Sequence, residues 1–107
     1  MRLGPRDAGV HNARMLPSDF QWIPHTQHQS GPPRALALDG VTVAIMLDRI
    51  DGTWAARLEA HRPVTAPLVV RPCSSFEAGR RGCELWAARH CDRLREEVAR
   101  IPRLGKR

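Results

Sequence analysis

Two Asp-Gly pairs constrain the fold of this chain more than any other feature. Asp39-Gly40 and Asp51-Gly52 each separate two runs of β-compatible residues. Because Asp and Gly tolerate the positive φ angles of a two-residue type I′ turn, each pair predicts a tight hairpin. Three antiparallel strands follow from the two turns, and a fourth strand is predicted at about 68–71.

The register of these strands can be tested against the alternation of their side chains. Two-residue turns predict the pairs Leu47 with Ala56, Ile45 with Leu58, Val43 with Ala60, Leu38 with Val41 and Leu36 with Val43. All of these residues are apolar, and in this register they share one face of the sheet. Two independent turns therefore predict the same core side.

The other side of the predicted sheet is a candidate surface for protein contact. An antiparallel sheet that packs against a single helix leaves one side uncovered. In the predicted register the contact face contains Thr42, Ala44, Met46, Arg57 and Glu59. Small residues keep such a face flat, and methionine makes it adaptable.

A long amphipathic helix is predicted after Cys73. Ser74 and Glu77 have the spacing of a capping box, and Pro102 ends the helix. Between them an apolar stripe recurs every three or four residues, at Gly79, Cys83, Trp86, His90, Leu94, Val98 and Ile101. The predicted fold is therefore α+β: an antiparallel β-meander of three to four strands, packed on one face by one long C-terminal helix.

The ends of the chain are predicted to lie outside this domain. Residues 1–33 are expected to form a disordered leader and a polar linker, with a short apolar patch at 20–23 that either adds an edge strand or packs over the core. Met15 is an alternative start to Met1. Residues 34–102 form the predicted domain, and residues 103–107 form a basic tail.

The positive charge is concentrated in those ends. The chain carries a formal net charge of +6, from 17 basic and 11 acidic side chains. Residues 1–14 and 102–107 contain six of the basic and one of the acidic side chains, which leaves 11 basic and 10 acidic side chains in between. A nearly neutral body does not favour a domain that binds phosphates across a whole face.

Catalytic and metal-binding signatures do not stand out. The three cysteines lack the paired spacing of a zinc site, and His25 and His28 fall in a predicted loop. Cys73 and His61 have no identifiable third group to orient them as a catalytic couple. We therefore expect no enzyme activity, no metal and no cofactor. A cytoplasmic location is also expected, because the chain contains neither a secretory signal pattern nor a run of about 20 apolar residues.

One resemblance rests on three short runs, Asp51–Arg57 (DGTWAAR), Ser75-Phe76-Glu77 and Trp86-Ala87-Ala88. Over residues 41–100 at most, they resemble the small N-terminal arm-binding domain of phage-type tyrosine recombinases. The resemblance implies three strands and a helix, and contact with the DNA major groove through the sheet. The predicted sheet lacks the basic and polar cluster which that family uses, and no recombinase catalytic domain follows. The chain is also similar to short proteins of GC-rich bacterial genomes and their prophages.

Two functions are compatible with these observations. The first is a small, non-catalytic bacterial accessory or regulatory protein, compatible with a phage or mobile-element origin, that acts through contact with a protein partner. An edge strand could also pair two copies into a homodimer. The alternative is a nucleic-acid-binding module that uses the basic tail and the helix residues Arg80, Arg81, Arg89, Arg93 and Arg100. No membrane contact is expected.

Overall fold

The fold is one open antiparallel sheet with helices on one side. In this computed structural model, residues 16–26 and 31–102 are described. The predictions for the leader at 1–14 and the tail at 103–107 lie outside the described residues. The strands follow one another across the sheet in chain order: β1 Phe20–Ile23, β2 Ala35–Leu38, β3 Val41–Asp48, β4 Trp54–Leu58 and β5 Val69–Cys73.

The predicted α+β class is confirmed, but the described sheet has five strands rather than three to four. The difference arises from the apolar patch at 20–23, which forms the edge strand β1 and pairs with β2. Phe20 of β1 is 4% exposed and belongs to the core. The patch therefore extends the sheet and contributes to its packing.

The first hairpin has the predicted geometry. Asp39 and Gly40 have φ angles of 51° and 83°, and Leu38 pairs with Val41 across them. Both central residues therefore adopt the left-handed conformation that a type I′ turn requires.

The predicted register of the second hairpin is wrong by one residue. Leu47 pairs with Ala55 rather than with Ala56, which pairs with Met46 instead. The loop contains three residues, 50–52: the backbone N–H of Arg49 donates to the carbonyl of Thr53 at 2.9 Å, and that of Gly52 donates to Arg49 at 3.0 Å. Gly52 has a φ of 86°, as expected for a three-residue loop that ends on a left-handed glycine.

A β-bulge at Val43 accounts for the shift of one residue between the β2–β3 and the β3–β4 registers. Thr42 pairs with Ala37, and Leu36 pairs with Ala44 rather than with Val43 as predicted, so Val43 is an extra residue on β3. Beyond the bulge, Ala44 and Met46 face the helices and are 0% and 1% exposed. Their predicted place on the uncovered side is therefore wrong.

The C-terminal segment forms two helices rather than one long helix. Helix α1 spans Phe76–Arg89 and helix α2 spans Cys91–Ala99. His90 separates them with φ −112° and ψ 19°, outside the helical region. The N-cap is Ser75 rather than Ser74, and its hydroxyl accepts a hydrogen bond from the backbone N–H of Ala78 at 3.0 Å.

The predicted stripe nevertheless forms the helical half of the core. Its buried members are Gly79, Cys83, Trp86, Leu94 and Val98, and they pack with buried residues of β1 to β4. Because α2 begins directly after His90, the stripe continues onto the same side of the sheet. Among the described residues, no helix is both long and apolar enough to cross a membrane.

Candidate functional site

The side of the sheet turned away from the helices, here called the open face, is the main candidate site. It contains the residues that alternate with the core residues of each strand: Gln21, Ile23, Ala35, Ala37, Thr42, Ile45, Leu47, Ala55, Arg57, Val70 and Pro72. Neither α1 nor α2 can reach this side, because both pack against the face that contains Met46 and Ala56. Most of the residues on the open face are apolar.

The exposure of side chains on the open face differs between the central strand β3 and its two neighbours, β2 and β4. Ile45 and Leu47 of β3 are partly exposed. The adjacent alanines, Ala35 on β2 and Ala55 on β4, are each 1% exposed. The accessible apolar surface at the centre of the open face is therefore a ridge that Ile45 and Leu47 form along β3.

Arg57 places one positive charge on the open face. It pairs with Ile45 across the β3–β4 ladder and is half-buried. No carboxylate among the described residues forms an ion pair with it. An occupant of this face would therefore meet an apolar ridge beside an uncompensated guanidinium.

The five predicted contact residues divide between the two sides. Thr42 and Arg57 lie on the open face, whereas Ala44 and Met46 lie in the core. Glu59 has a φ of 60° and turns its carboxylate toward α2. The predicted set therefore does not form one surface.

Sequence reasoning missed the side chains that form the ridge, Ile45 and Leu47. Strand β3 reads VTVAIMLD and is apolar at nearly every position after Thr42. Such a run is typical of a strand whose two faces are both apolar, and that signal was available in the sequence.

Three of the five arginines proposed for nucleic-acid contact are engaged within the protein. The Arg80 guanidinium lies 4.5 Å from the centroid of the Trp22 ring and 5.7 Å from that of Phe76. Arg100 donates to Glu96 at 2.9 Å. Arg93 binds two carboxylates, as described next.

Arg93 belongs to a cluster that joins the end of β4 to α2. Its guanidinium donates to Glu59 at 2.7 Å and to Glu97 at 3.1 Å. His61 Nε2 lies 2.6 Å from Glu97 Oε1, and Arg62 donates to the other oxygen of Glu97 at 3.2 Å. Arg81 and Arg89, in contrast, are exposed and form no ion pair with any described residue.

The electrostatics of the cluster favour the charged form of Glu97. Burial by itself would raise the pKa of Glu97, but hydrogen bonds from His61, Arg93 and Arg62 lower that pKa to about 2. The same carboxylates raise the pKa of Arg93. Glu97 is therefore ionised at neutral pH and pairs with two guanidinium groups.

The cluster also contains a set of potential metal ligands. Ligand atoms of Glu59, His61 and Glu97 lie within 4.8 Å of one another. Arg93 already bridges the two carboxylates and supplies the positive charge that a metal ion would bring. A cation could bind there only after Arg93 moved away, so the present geometry is that of an ion-pair network.

The cysteines and histidines singled out from the sequence lie in separate places. His61 contacts Glu97 of α2, whereas Cys73 lies beside Gly79 near the start of α1. Burial raises the pKa of the Cys73 thiol, and it raises that of Cys83 to about 12. His28 lies outside the described residues. Burial thus favours the neutral thiol at Cys73 and Cys83 over an activated thiolate.

Comparison of the chain with protein-family models, with curated proteins and with solved structures finds no match.

Proposed function

We propose that the protein is a non-catalytic accessory or regulatory protein that binds a protein partner on the open face. The occupant is an amphipathic helix of the partner, which packs apolar side chains beside Ile45 and Leu47 and presents a carboxylate to Arg57. The observation that carries the proposal is the apolar ridge, which no helix or strand of the described residues covers. The bacterial, phage or mobile-element origin of the protein stays a prediction.

The dimensions of the open face favour a single helix. Five strands spaced by about 4.8 Å span roughly 19 Å, and five residues of strand extend over roughly 17 Å. A helix of about 12 residues is about 18 Å long and matches either dimension. The apolar side chains of such a helix would contact the exposed parts of Ile45 and Leu47.

A second copy of the chain is a weaker candidate for this surface. The open face of a second copy would present another Arg57 to the first copy, and its described residues include no carboxylate to pair with it. Pairing through the edge strand β5 is also disfavoured, because Pro72 has no backbone N–H to donate. The proposal therefore commits to a different protein as the occupant.

The charge of the open face also favours a different protein as its occupant. The described residues of the open face include one basic side chain, Arg57, and no acidic one. Of the arginines that the nucleic-acid alternative would use within the described residues, Arg81 and Arg89 form neither an ion pair nor a contact with an aromatic ring. A single guanidinium beside apolar side chains suits a carboxylate on an apolar helix better than a phosphate backbone.

Selection from a displayed library of helical peptides, with the full chain as bait, tests this proposal. We expect the selected peptides to be amphipathic and to carry an Asp or Glu. Replacing Leu47 by Glu should weaken their binding at least about tenfold, because it places a charge in the apolar contact. Leu85→Glu is the matched control, since Leu85 is 38% exposed on α1 and lies on the other side of the molecule.

A charge exchange makes the test specific. Arg57→Glu should weaken binding of an acidic peptide, and a peptide with Lys in place of the acidic residue should restore it. Peptides that bind Leu47→Glu as tightly as the wild type would contradict the proposal. A dimer of the free chain that dissociates on Leu47→Glu would replace the partner helix by a second copy.

A further inference from the structure

A cleft of about 270 Å³ lies between α1 and the edge strand β5, on the helical side of the sheet. Its apolar wall includes Ala56, Leu58, Cys83 and Trp86, and exposed Arg71 and Ser74 also line it. The cleft forms because the helices pack mainly over the middle of the sheet and leave part of β5 uncovered. It is separate from the open face, which lies on the opposite side of the sheet.

Gly82 leaves the α1 side of the cleft without a side chain. It lies inside α1, where glycine costs about 1 kcal/mol relative to alanine. A Cβ at Gly82 would meet no atom within 4 Å, so packing does not require glycine there. A side chain at this position would occupy the cleft that Gly82 lines.

Gly79, three residues earlier, provides the contrast. A Cβ at Gly79 would clash with the terminal methyl group of Met46 and lie 2.9 Å from the sulfur of Cys73. The close approach of α1 to the sheet therefore explains Gly79 but not Gly82. Because Gly82 has no side chain, the cleft stays open beside it.

The charge at the cleft points to an anionic group. Arg71 forms no ion pair with any described residue, although its side chain lies on the helical side of β5 opposite Ala56. Ser74 adds a hydroxyl group, and the positive end of the α1 dipole begins at the N-cap Ser75. These groups are complementary to a carboxylate.

Apart from Arg71, the described residues that line the cleft carry no charge. Cys73 and Cys83 both line the cleft, and burial raises the pKa of both thiols, so they are neutral at pH 7. The volume lies just below the usual range for ligand pockets of about 300–1,000 Å³. The space is suited to a small molecule with an apolar body.

We propose that this cleft binds a small monocarboxylate, with its apolar body against Trp86 and Leu58 and its carboxylate at Arg71. The ligand class is an amphiphilic acid of about ten non-hydrogen atoms, such as a medium-chain fatty acid. This site does not depend on the proposed open-face function, because Ile45, Leu47 and Arg57, which carry that function, do not line the cleft.

Titration of the full chain with octanoate below its micelle concentration, followed by two-dimensional ¹H–¹⁵N NMR, tests the proposal. We expect saturable shifts confined to residues 56–58, 71–74 and 78–86, which include the lining of the cleft. Arg71→Gln should weaken binding about tenfold, because it removes the charge-assisted hydrogen bond, and octanol should bind the wild type about tenfold more weakly than octanoate. Arg57→Gln, on the open face, should leave the affinity unchanged.

Gly82 provides a matched pair of variants for the same titration. Gly82→Phe should abolish octanoate binding by filling the cleft, whereas Gly82→Ala should retain most of it. Octanoate affinity in Gly82→Phe equal to that of the wild type would overturn the proposal. Equal affinity for octanoate and octanol, or shifts that appear on Ile45 and Leu47 instead, would overturn it as well.

Discussion

The two faces of strand β3 are similarly apolar but differ in what covers them. Ala44 and Met46 lie under the helices and are almost fully buried, whereas Ile45 and Leu47 lie on the open face and remain partly exposed. Removing a large apolar side chain completely from water stabilises a protein by about 1.5–3 kcal/mol. Neighbouring residues of one strand can therefore serve folding on one face and stay available for binding on the other.

The covered face should show the largest effect. Trp86 is 7% exposed and packs over Ala56 and Leu58. Trp86→Ala should reduce the free energy of unfolding by about 3–5 kcal/mol, because it leaves a large cavity in the core. Urea denaturation measures this change, and a midpoint equal to that of the wild type would show that the helical stripe is not core.

The two glycines of α1 sharpen the contrast between covered and open positions. Gly79→Ala should destabilise by about 1–3 kcal/mol, since Met46 and Cys73 must move to admit the methyl group. Gly82→Ala should stabilise by about 0.5–1 kcal/mol, because it removes a helix-breaking residue from open space. Thermal denaturation of the two variants checks both signs, and equal melting temperatures would contradict the close approach of α1 to the sheet.

The cluster at the end of β4 predicts a dependence of stability on pH. The folded-state pKa of Glu97 is about 2, below the ordinary value of 4.5. A depressed carboxylate pKa stabilises the fold fully above the unfolded value, and this stabilisation is lost as the pH falls from about 4.5 toward 2. Glu97→Gln should therefore lower stability at pH 7 by about 1–2 kcal/mol and flatten its change in that interval.

Urea midpoints of wild type and Glu97→Gln at pH 7 and pH 3 measure the difference. The advantage of the wild type over the variant should be roughly half as large at pH 3 as at pH 7, because pH 3 lies between the folded-state and unfolded-state pKa values of Glu97. An equal difference between the two proteins at both pH values would mean that the pairing of Glu97 with Arg93 and Arg62 does not stabilise the fold.

The smallest effect is expected at the exposed arginines. The double replacement Arg81→Ala and Arg89→Ala should change stability by less than about 0.5 kcal/mol and leave binding on the open face unaltered. Gel shifts with DNA and RNA across a salt series provide the functional measurement. Binding that weakens steeply with salt and is lost in this variant would favour the nucleic-acid alternative over protein contact.

Much of the fold could be predicted because local signals agreed with the global arrangement. Asp39-Gly40 encodes its turn directly, and the stripe from Gly79 to Val98 identifies the covered side of the helices. The length of the second turn could not be predicted, since Asp51-Gly52 fits both a two-residue turn and a three-residue loop. Side-chain alternation did not resolve the choice, because β3 is apolar on both faces.

The candidate site was less accessible to sequence reasoning for the same reason. A shift of one residue exchanges the two faces of a strand, so the predicted contact face included Ala44 and Met46 in place of Ile45 and Leu47. The cluster of Glu59, Arg93 and Glu97 depends on contacts across 34 residues of sequence, which no local pattern indicates. The break at His90 has no strong local signal either, because the apolar spacing continues across it.

The central claim is that β3 turns Met46 toward the helices and Leu47 toward the open face, and two single substitutions test it most directly. Met46→Ala should lower the free energy of unfolding by about 2–5 kcal/mol, because Met46 is 1% exposed in the core. Leu47→Ala should lower it by less than about 1 kcal/mol, because its side chain is partly exposed. Urea denaturation of both variants under the same conditions decides between the registers. A small loss for Met46→Ala with a large loss for Leu47→Ala would contradict the account and place Leu47, with Ile45, in the core.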